Sequence, residues 1–425
     1  MTFYIYTLGC KVNSCESAAI TDAMLARGFE KAPEGEAPDV AVINSCAVTG
    51  ASVKKARQLI SRCKKDKPDG IVVLCGCFPQ AYPEEAAETA ADIITGNGGK
   101  ADIPLIVEKF VEAPERRVII GELSREFDLH CAGADLDRTR AFIKIEDGCD
   151  RFCSYCIIPT ARGRVRSMPI NEITRQARLA ADSGHKEIVL TGINLSCYGQ
   201  ELGLTLGDAV KAADVEGIER IRLGSLEPDM MTDEEIAKLR VVGKLCPHFH
   251  LSLQSGSDEV LKRMRRRYDT TQYTNVCEKL RSAFPECSIT TDIMVGFTGE
   301  TDAEFEESLA FAEKIGFAKI HVFPYSIRKG TLAAMRPEQV LPHIKSDRAK
   351  RMNVLSARLE EQFLKSCIGK ECTVLIEKPQ SDEYSNGFTR GYIPVRIYSE
   401  ALARHSLVQV RITGSTADYC IAELI

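Results

Sequence analysis

Short apolar segments alternate with amphipathic segments along most of the chain, and this alternation constrains the fold more than any other feature. In the first part, the strand-like segments are FYIYTL, DVAVINS, GIVVLCG and ADIITG, and the helix-like segments between them include ESAAITDAMLARGF and SVKKARQLISRCKK. Such alternation is typical of a parallel sheet covered by helices. The sequence therefore predicts an N-terminal parallel α/β sandwich over residues 1–135.

A second alternating series follows. Its six candidate strands are AFIKIEDG, KEIVLTG, RIRLGSL, FHLSLQS, ITTDIMVG and KIHVFPYS. Six strand–helix units predict a partial (β/α)6 barrel, short of the usual eight, with functional residues in the loops after the strands. One long helical segment from Glu338 to Cys367 then serves as a connector. Residues 136–367 therefore form the second predicted domain.

The last part of the chain changes character. TVLIEK, YIPVRIY, LVQVRITG and DYCIAELI are short β-type runs separated by glycine-containing turns. This pattern predicts a small antiparallel β-barrel over residues 368–425. The fold class is therefore α/β, with three domains in a chain of 425 residues.

Composition excludes several classes of protein. A net charge of −5 gives no general case for nucleic-acid binding, so a basic surface has to be local. The N-terminus does not resemble a signal peptide, and no apolar run approaches the roughly 18 residues of a membrane span. We therefore expect a cytoplasmic protein with no membrane partner. Because disulfides are rare in that compartment, most of the 17 cysteines are expected to be buried as small apolar residues.

Three cysteines form a CxxxCxxC loop directly after the first strand of the second series. They are Cys149, Cys153 and Cys156. Most iron–sulfur clusters have four thiolate ligands, so a loop with three leaves one iron open for a substrate. A structural zinc site needs a fourth cysteine or histidine, and Asp150 is a poor substitute. The spacing therefore favours an iron–sulfur cluster with an open coordination position.

Three further cysteines share a position in the first domain. Cys10, Cys46 and Cys77 each follow a predicted strand. Because the carboxyl ends of parallel strands meet at one edge, these thiols are expected to converge there. Burial as ordinary core cysteines is an equally good explanation from the pattern alone. Cys75 competes with Cys77 for the same role.

Several motifs resemble a known family. The CxxxCxxC loop is similar to that of the radical S-adenosylmethionine (SAM) superfamily. TLGCKVN, INSCAVT, GCFPQ, CIIPTARGRVRS, HLSLQSGSD and VGF…GET with FPYSIRKGT resemble the methylthiotransferase family over essentially the whole chain. Within that family, TLGCKVN and ARGRVRS are most similar to the enzymes that methylthiolate N6-threonylcarbamoyladenosine in tRNA.

The resemblance implies two [4Fe-4S] clusters and two SAM molecules. Cys149, Cys153 and Cys156 would hold the radical SAM cluster; Cys10, Cys46 and Cys77 would hold an auxiliary cluster carrying the sulfur. A radical derived from SAM would take hydrogen from C2 of the adenine, and a methylthio group would replace it. The implied partners are tRNA, an electron donor such as flavodoxin or ferredoxin, and a sulfur source. The C-terminal domain would be a TRAM-like RNA-binding barrel.

The same resemblance suggests contacts for SAM. The candidates are Tyr155, Gly192, Asn194, Ser225, Glu227, Gln254, Ser255 and Gly296. Apart from Tyr155, in the cysteine loop, all lie at or after the ends of predicted strands. Loop solvation, helix capping or core packing remains an alternative for each.

Basic and aromatic residues are the candidates for tRNA contacts. The basic groups are Arg162, Arg164 and Arg166; the run from Lys262 to Arg267; and the lysine-rich segment from Lys54 to Lys67. In NGFTRGYIPV, Phe388, Thr389 and Tyr392 either stack on a flipped base or belong to the core. Three alternative functions stay open: methylthiolation of isopentenyladenosine in tRNA, methylthiolation of an aspartate in a ribosomal protein, and a zinc-binding RNA module.

Overall fold

The computed structural model describes residues 1–128, 138–377, 383–399 and 402–425. The strands are β1 Thr2–Thr7, β2 Glu30–Lys31, β3 Val40–Ser45, β4 Ile71–Gly76, β5 Ile93–Thr95, β6 Arg117–Ile119, β7 Ala141–Lys144, β8 Glu146–Asp147, β9 Arg166–Ser167, β10 Glu187–Thr191, β11 Arg220–Leu223, β12 Ser225–Leu226, β13 His248–Leu251, β14 Ser288–Val295, β15 Lys319–Pro324, β16 Glu371–Ile376, β17 Ser385–Thr389, β18 Pro394–Ile397, β19 Leu407–Ser415 and β20 Cys420–Leu424. The α-helices are α1 Lys11–Ala26, α2 Gly50–Asp66, α3 Cys77–Ala81, α4 Pro83–Ala87, α5 Ile103–Glu112, α6 Ile158–Arg162, α7 Ile170–Asp182, α8 Leu206–Ala212, α9 Asp233–Arg240, α10 Asp258–Arg263, α11 Thr270–Ala283, α12 Asp302–Ile315 and α13 Pro342–Lys365.

The chain divides into two compact units. The first combines Met1–Asp135, Glu146–Met168 and Ser326–Ala334; the second combines Leu136–Ile145, Pro169–Tyr325 and Met335–Ile425. The boundary predicted at residue 135 lies outside the described residues, and the predicted domain limits stay predictions. The CxxxCxxC loop belongs to the first unit.

The first unit is built on a parallel sheet with strand order β2-β1-β3-β4-β5-β6. Every residue of β3 and β4 is buried, which is typical of parallel strands covered on both faces. One core layer includes Ile43, Leu74 and Phe78, and the other includes Met24 and Val73. The four predicted strands are confirmed. The sequence missed the edge strands β2 and β6, which are too short to show a pattern.

The second unit begins with an open parallel α/β arrangement. β11-β10-β7 form one sheet, and β12-β13-β14-β15 form another. The third predicted strand is interrupted at Gly224, which separates β11 from β12. The six strand–helix units are therefore confirmed.

The C-terminal part of the second unit is a closed barrel with strand order β16-β17-β18-β20-β19. Leu364 and Cys367, at the end of α13, pack into the core of this barrel. The four predicted strands are confirmed, and β17 was missed because its sequence SNGFT resembles a turn. Among the helices of the described residues, none is long and apolar enough to cross a membrane.

Candidate functional site

Three adjacent strands of the first unit bring Cys10, Cys46 and Cys77 to one edge of the sheet. Cys10 precedes α1, Cys46 directly follows β3, and Cys77 directly follows β4. Burial raises the pKa of the Cys46 thiol to about 11, and the nearby Cys77 and Cys10 thiols add to this shift. The predicted convergence is therefore present in the fold, whereas the role of these cysteines as ligands stays a prediction.

Two glycines with positive φ let the chain pass close to these cysteines. Gly9 has φ +105°, and a Cβ there would lie 2.8 Å from Cys46 Cβ. Gly76 has φ +97°, and a Cβ there would lie 2.5 Å from the Ser45 carbonyl oxygen. Since only glycine combines this backbone conformation with the absence of Cβ, both positions require it.

The structure separates Cys77 from its competitor Cys75. Cys75 is fully buried in the core layer that contains Met24 and Val73, and burial raises its pKa to about 12. Cys77 packs in the other layer and begins α3. Positions two apart on a regular strand share a face, but β4 ends at Gly76, whose φ of +97° breaks the alternation before Cys77. Cys75, the penultimate residue of β4, therefore lies in the core layer without Cys77. Cys77, beyond the strand end, is the better ligand candidate.

Two N–H groups point at these sulfur atoms. The Val48 backbone N–H donates to Cys46 Sγ at 3.4 Å, and Asn97 Nδ2 donates to Cys77 Sγ at 3.4 Å. Cys10 is exposed, whereas Cys46 and Cys77 are buried. Three thiols, two of which accept an N–H, with one accessible side therefore fit a cluster held by thiolates. In the described ranges, no three His, Cys, Asp or Glu side chains are grouped as a single-ion site would require.

The CxxxCxxC loop occupies a tight turn between β8 and α6. Gly148 has φ +85°, and a Cβ there would lie 2.0 Å from the Arg164 carbonyl oxygen. The Cys149 N–H donates to the Gly163 carbonyl at 3.1 Å, so the start of the loop is fixed to the residue after α6. Cys149, Cys153 and Cys156 are each half-buried, as a loop wrapped around a group requires.

A buried ion network borders the auxiliary cysteines. Arg162 Nη1 lies 2.8 Å from Glu16 Oε1 and 3.0 Å from Asp147 Oδ1, and Lys100 pairs with Glu16. Arg166 Nη2 lies 3.2 Å from Asp147 Oδ2. Burial lowers the pKa of Arg162, but the neighbouring Cys77, Glu16 and Asp147 raise it by more. Three cations thus face two carboxylates, and the remaining positive charge lies beside Cys77.

This network corrects the interpretation of the ARGRVRS segment. Arg162 and Arg166 are buried and bonded inside the protein, so the expectation that they bind phosphates was wrong. Arg164 has an exposed side chain, paired with Asp150. Arg162 ends α6 and Arg166 begins β9, so the segment spans two elements and its spacing does not show which side chains are buried.

The second unit places the remaining SAM candidates at the ends of its strands. Gly192 and Asn194 follow β10, Ser225 lies in β12, and Glu227 follows it. Glu227 pairs with Arg266 at 2.5 Å. Gln254 forms an isolated β-bridge with Ile293 of β14, and the φ of Gln254 is +69°.

Two further candidates have local roles in the fold. The Ser255 hydroxyl lies 3.1 Å from that of Ser308 in α12. Gly296 has φ +67°, and a Cβ there would lie 2.4 Å from Lys345 Cγ, so its small size accommodates a side chain of the protein itself. Tyr155 is half-buried in the cysteine loop. SAM binding by these residues stays a prediction.

Some of the other basic candidates for tRNA contacts are also paired with carboxylates of the protein. On α10, Arg263 pairs with Glu304 at 2.8 Å. Near the end of α2, Lys64 pairs with Asp92 at 2.6 Å. Lys54 and Lys55, at the start of α2, have exposed side chains.

Phe388 and Tyr392 contact each other and two arginines in the second unit. Their rings stack with centroids 4.6 Å apart and an interplanar angle of 19°. The Arg140 guanidinium lies 4.9 Å from the Phe388 ring, and that of Arg222 lies 4.6 Å from the Tyr392 ring. These contacts lie within the unit, but Phe388 is half-buried and Tyr392 is exposed, so stacking on a base and packing in the core both stay open.

These arginines surround Glu187, which is fully buried in β10. Arg222 Nε lies 2.7 Å and Arg140 Nε 2.8 Å from Glu187 Oε1, and Arg220 lies 3.6 Å from Oε2. Arg220 also donates to the carbonyls of Thr373 at 2.6 Å and Phe388 at 2.9 Å. Burial raises the pKa of Glu187, but Arg222 and Arg140 outweigh it and hold that pKa at about 2. The network joins the parallel sheet to the C-terminal barrel.

Comparisons with known proteins agree with this architecture. Residues 143–312 match the radical SAM superfamily, and residues 2–96 match "Uncharacterized protein family UPF0004". A radical SAM methyltransferase from Kitasatospora setae, TsrM, solved with cobalamin and a [4Fe-4S] cluster bound, superposes with a TM-score of 0.60 over 79% of this chain and 77% of its own. At 12% identity this likeness concerns the fold, which is that of a radical SAM enzyme.

Curated relatives identify the family. The chain is 38% identical to the threonylcarbamoyladenosine tRNA methylthiotransferase MtaB of Bacillus subtilis over 93% of this chain and 90% of the relative. It is 37% identical to MtaB of Thermotoga maritima over 96% and 94%, respectively. It is also 34% identical to a tRNA-2-methylthio-N(6)-dimethylallyladenosine synthase of Nitratidesulfovibrio vulgaris over 88% and 86%. The chain belongs to the radical SAM tRNA methylthiotransferase family, whose chemistry uses SAM and a [4Fe-4S] cluster.

Proposed function

We propose that this enzyme methylthiolates C2 of N6-threonylcarbamoyladenosine next to the tRNA anticodon. The observation that carries the proposal is the 36–38% identity of this chain to three relatives named for that substrate. The matches cover 90–95% of the length of each relative. Isopentenyladenosine is the second candidate, because relatives named for the dimethylallyl substrate are 34% identical. A ribosomal-protein aspartate is the remaining alternative.

We assign the radical SAM cluster to Cys149, Cys153 and Cys156, and an auxiliary [4Fe-4S] cluster to Cys10, Cys46 and Cys77. Support comes from the two sets of three thiols, one in a tight loop and one at three strand ends. When bound, the first cluster would supply the electron that splits SAM, and the second would supply the sulfur. The reaction would consume two SAM molecules. We also propose domain limits between residues 135 and 136 and between residues 367 and 368.

The protein's own residues would prepare these sites. The excess positive charge of the Arg162 network offsets the negative charge of thiolates at the auxiliary site. Burial of Cys46 and Cys77 limits access by water. Tyr155, Gly192, Asn194, Ser225, Glu227, Gln254, Ser255 and Gly296 are the proposed SAM contacts. The partners would be tRNA, a flavodoxin or ferredoxin, and a sulfur source, and the expected compartment is the cytoplasm.

Mass spectrometry of nucleosides tests the substrate. Reconstituted protein, SAM and reductant are incubated without oxygen with tRNA containing threonylcarbamoyladenosine, isopentenyladenosine or neither. A methylthio product from the first tRNA alone is the expected result. A product from the second alone, or none from protein that cleaves SAM, would overturn the substrate assignment.

A pair of cysteine variants tests the auxiliary cluster. Cys77→Ala should lower the iron content from about eight to about four atoms per chain. Cys75→Ala is the matched control, because it removes a buried thiol two residues away on the other face of the sheet, and it should retain all the iron. Equal iron contents would contradict the assignment of Cys77.

A further inference from the structure

Asn97 is the side chain that reaches the proposed auxiliary site from the neighbouring strand β5. Its backbone N–H donates to Gln80 Oε1 at 2.9 Å, which fixes the main chain just after that strand. Its Nδ2 donates to the Ala161 carbonyl at 2.6 Å and to Cys77 Sγ at 3.4 Å. Both hydrogens of the side-chain amide are therefore used, one of them on a cysteine sulfur.

The orientation of this amide follows from its partners. A backbone carbonyl only accepts hydrogen bonds, so the nitrogen of Asn97 has to face Ala161. The second hydrogen is then directed at Cys77. The Asn97 Oδ1 is buried and has no hydrogen-bond partner among the described residues. A buried oxygen without a partner is unfavourable, so the two hydrogen bonds donated by Nδ2 are what hold the amide in this orientation.

We propose that Asn97 is a positioning residue whose N–H···S hydrogen bond to Cys77 raises the reduction potential of the auxiliary cluster. The inference rests on the proposed function, in which Cys77 is a ligand. One-electron reduction adds negative charge to a cluster, and hydrogen bonds to its sulfur atoms stabilise that charge. The Val48 N–H has the same relation to Cys46 but belongs to the backbone. Asn97 is therefore the donor that substitution can remove.

Potentiometric titration followed by EPR tests this role. Full-length protein carrying Cys149→Ala, Cys153→Ala and Cys156→Ala isolates the auxiliary cluster, and Asn97→Leu in this background removes the donor at similar volume. Loss of one hydrogen bond to a charged group should disfavour one-electron reduction about threefold to tenfold, the upper limit being about 59 mV. The midpoint potential should therefore fall.

Thr95→Val is the matched control. Thr95 is the last residue of β5, is buried, and its Oγ1 has no hydrogen-bond partner within the described part of the chain. Its substitution should leave the midpoint unchanged. Equal midpoints for Asn97→Leu and its parent, both with a full cluster, would overturn the role of Asn97 and leave the auxiliary site intact.

A second measurement keeps Asn97 in place, so it does not depend on whether the Asn97→Leu variant binds its cluster. In protein with 15N-labelled asparagine side chains, pulsed EPR of the reduced auxiliary cluster should show a weak nitrogen coupling through the N–H···S contact. Its absence would contradict the proposal. If the triple variant remains folded but binds no iron, the auxiliary site itself fails, together with the role of Asn97.

Discussion

The two units of this enzyme each contain a buried network in which three cations face two carboxylates, but the networks neutralise their excess charge differently. In the first unit, the surplus of the Arg162 network lies beside Cys77. In the second unit, the arginines around Glu187 and Glu377 donate to backbone carbonyls and lie over aromatic rings.

This difference distinguishes a network beside the proposed auxiliary site from one that joins two parts of the fold. Buried charges are stable when paired and hydrogen-bonded. The Glu187 network meets most of this requirement with groups of the protein itself, although Glu187 Oε2 and Arg140 Nη2 have no hydrogen-bond partner within the described residues. The Arg162 network gains additional stabilisation if the neighbouring cysteines are thiolates, as they are when they bind iron. One network therefore joins the parallel sheet to the barrel of the second unit, and the other borders the proposed auxiliary site.

The largest expected effect comes from Arg162→Met. It leaves Glu16 and Asp147 without their shared partner and should reduce the free energy of unfolding by about 3–5 kcal/mol. The iron content should also fall, because the positive charge beside Cys77 is lost. Denaturation with urea and iron analysis measure both effects. Arg164→Met, two residues away and exposed, should change stability by less than about 0.5 kcal/mol, and equal effects of the two variants would contradict the comparison.

Glu187→Gln should have a somewhat smaller effect. It removes the central carboxylate, but backbone carbonyls still bind the arginines, so we expect a loss of about 2–3 kcal/mol. Iron content should be retained, in contrast to Arg162→Met. Glu377→Gln, at a half-buried position paired with Arg140, is the control and should lose about 1 kcal/mol or less. Loss of iron in Glu187→Gln would remove the distinction between the networks.

The dependence of stability on acid pH tests the contribution of the Glu187 network. The pKa of Glu187 is depressed from 4.5 to about 2 in the folded protein. A depressed carboxyl pKa stabilises the fold fully above the unfolded value, so its contribution is lost as the pH falls from about 4.5 through about 2. Thermal melts of the wild type should show this loss in that window, and Glu187→Gln should show a smaller one. Parallel curves for the two proteins would contradict the assignment.

The smallest effect is expected for Phe388→Leu. It removes a half-buried ring that stacks on Tyr392 and lies 4.9 Å from the Arg140 guanidinium, and it should destabilise the protein by about 1 kcal/mol. Affinity for tRNA, measured by filter binding below the melting temperature, should not change. If affinity falls while stability does not, Phe388 stacks on RNA and the packing role is wrong.

The sequence was sufficient for the main elements of the fold. Alternating apolar and helical segments predicted the parallel sheet, the six strand–helix units and the small barrel, because burial on two faces leaves a pattern along the chain. It also placed Cys10, Cys46 and Cys77 after three strands. The short edge strands β2 and β6 and the glycine-containing β17 left no such pattern.

Only the tertiary structure decided what the polar residues do. Arg162 meets Glu16 across 146 positions of the sequence, and Lys100 meets it across 84. No local pattern encodes such pairing, so the arginines of ARGRVRS resembled a phosphate-binding surface. The same holds for Asn97, whose contact with Cys77 joins the ends of two neighbouring strands. The sequence thus determined the elements and the chemical groups, while long-range packing decided which charges are buried and which sulfur atoms receive hydrogen bonds.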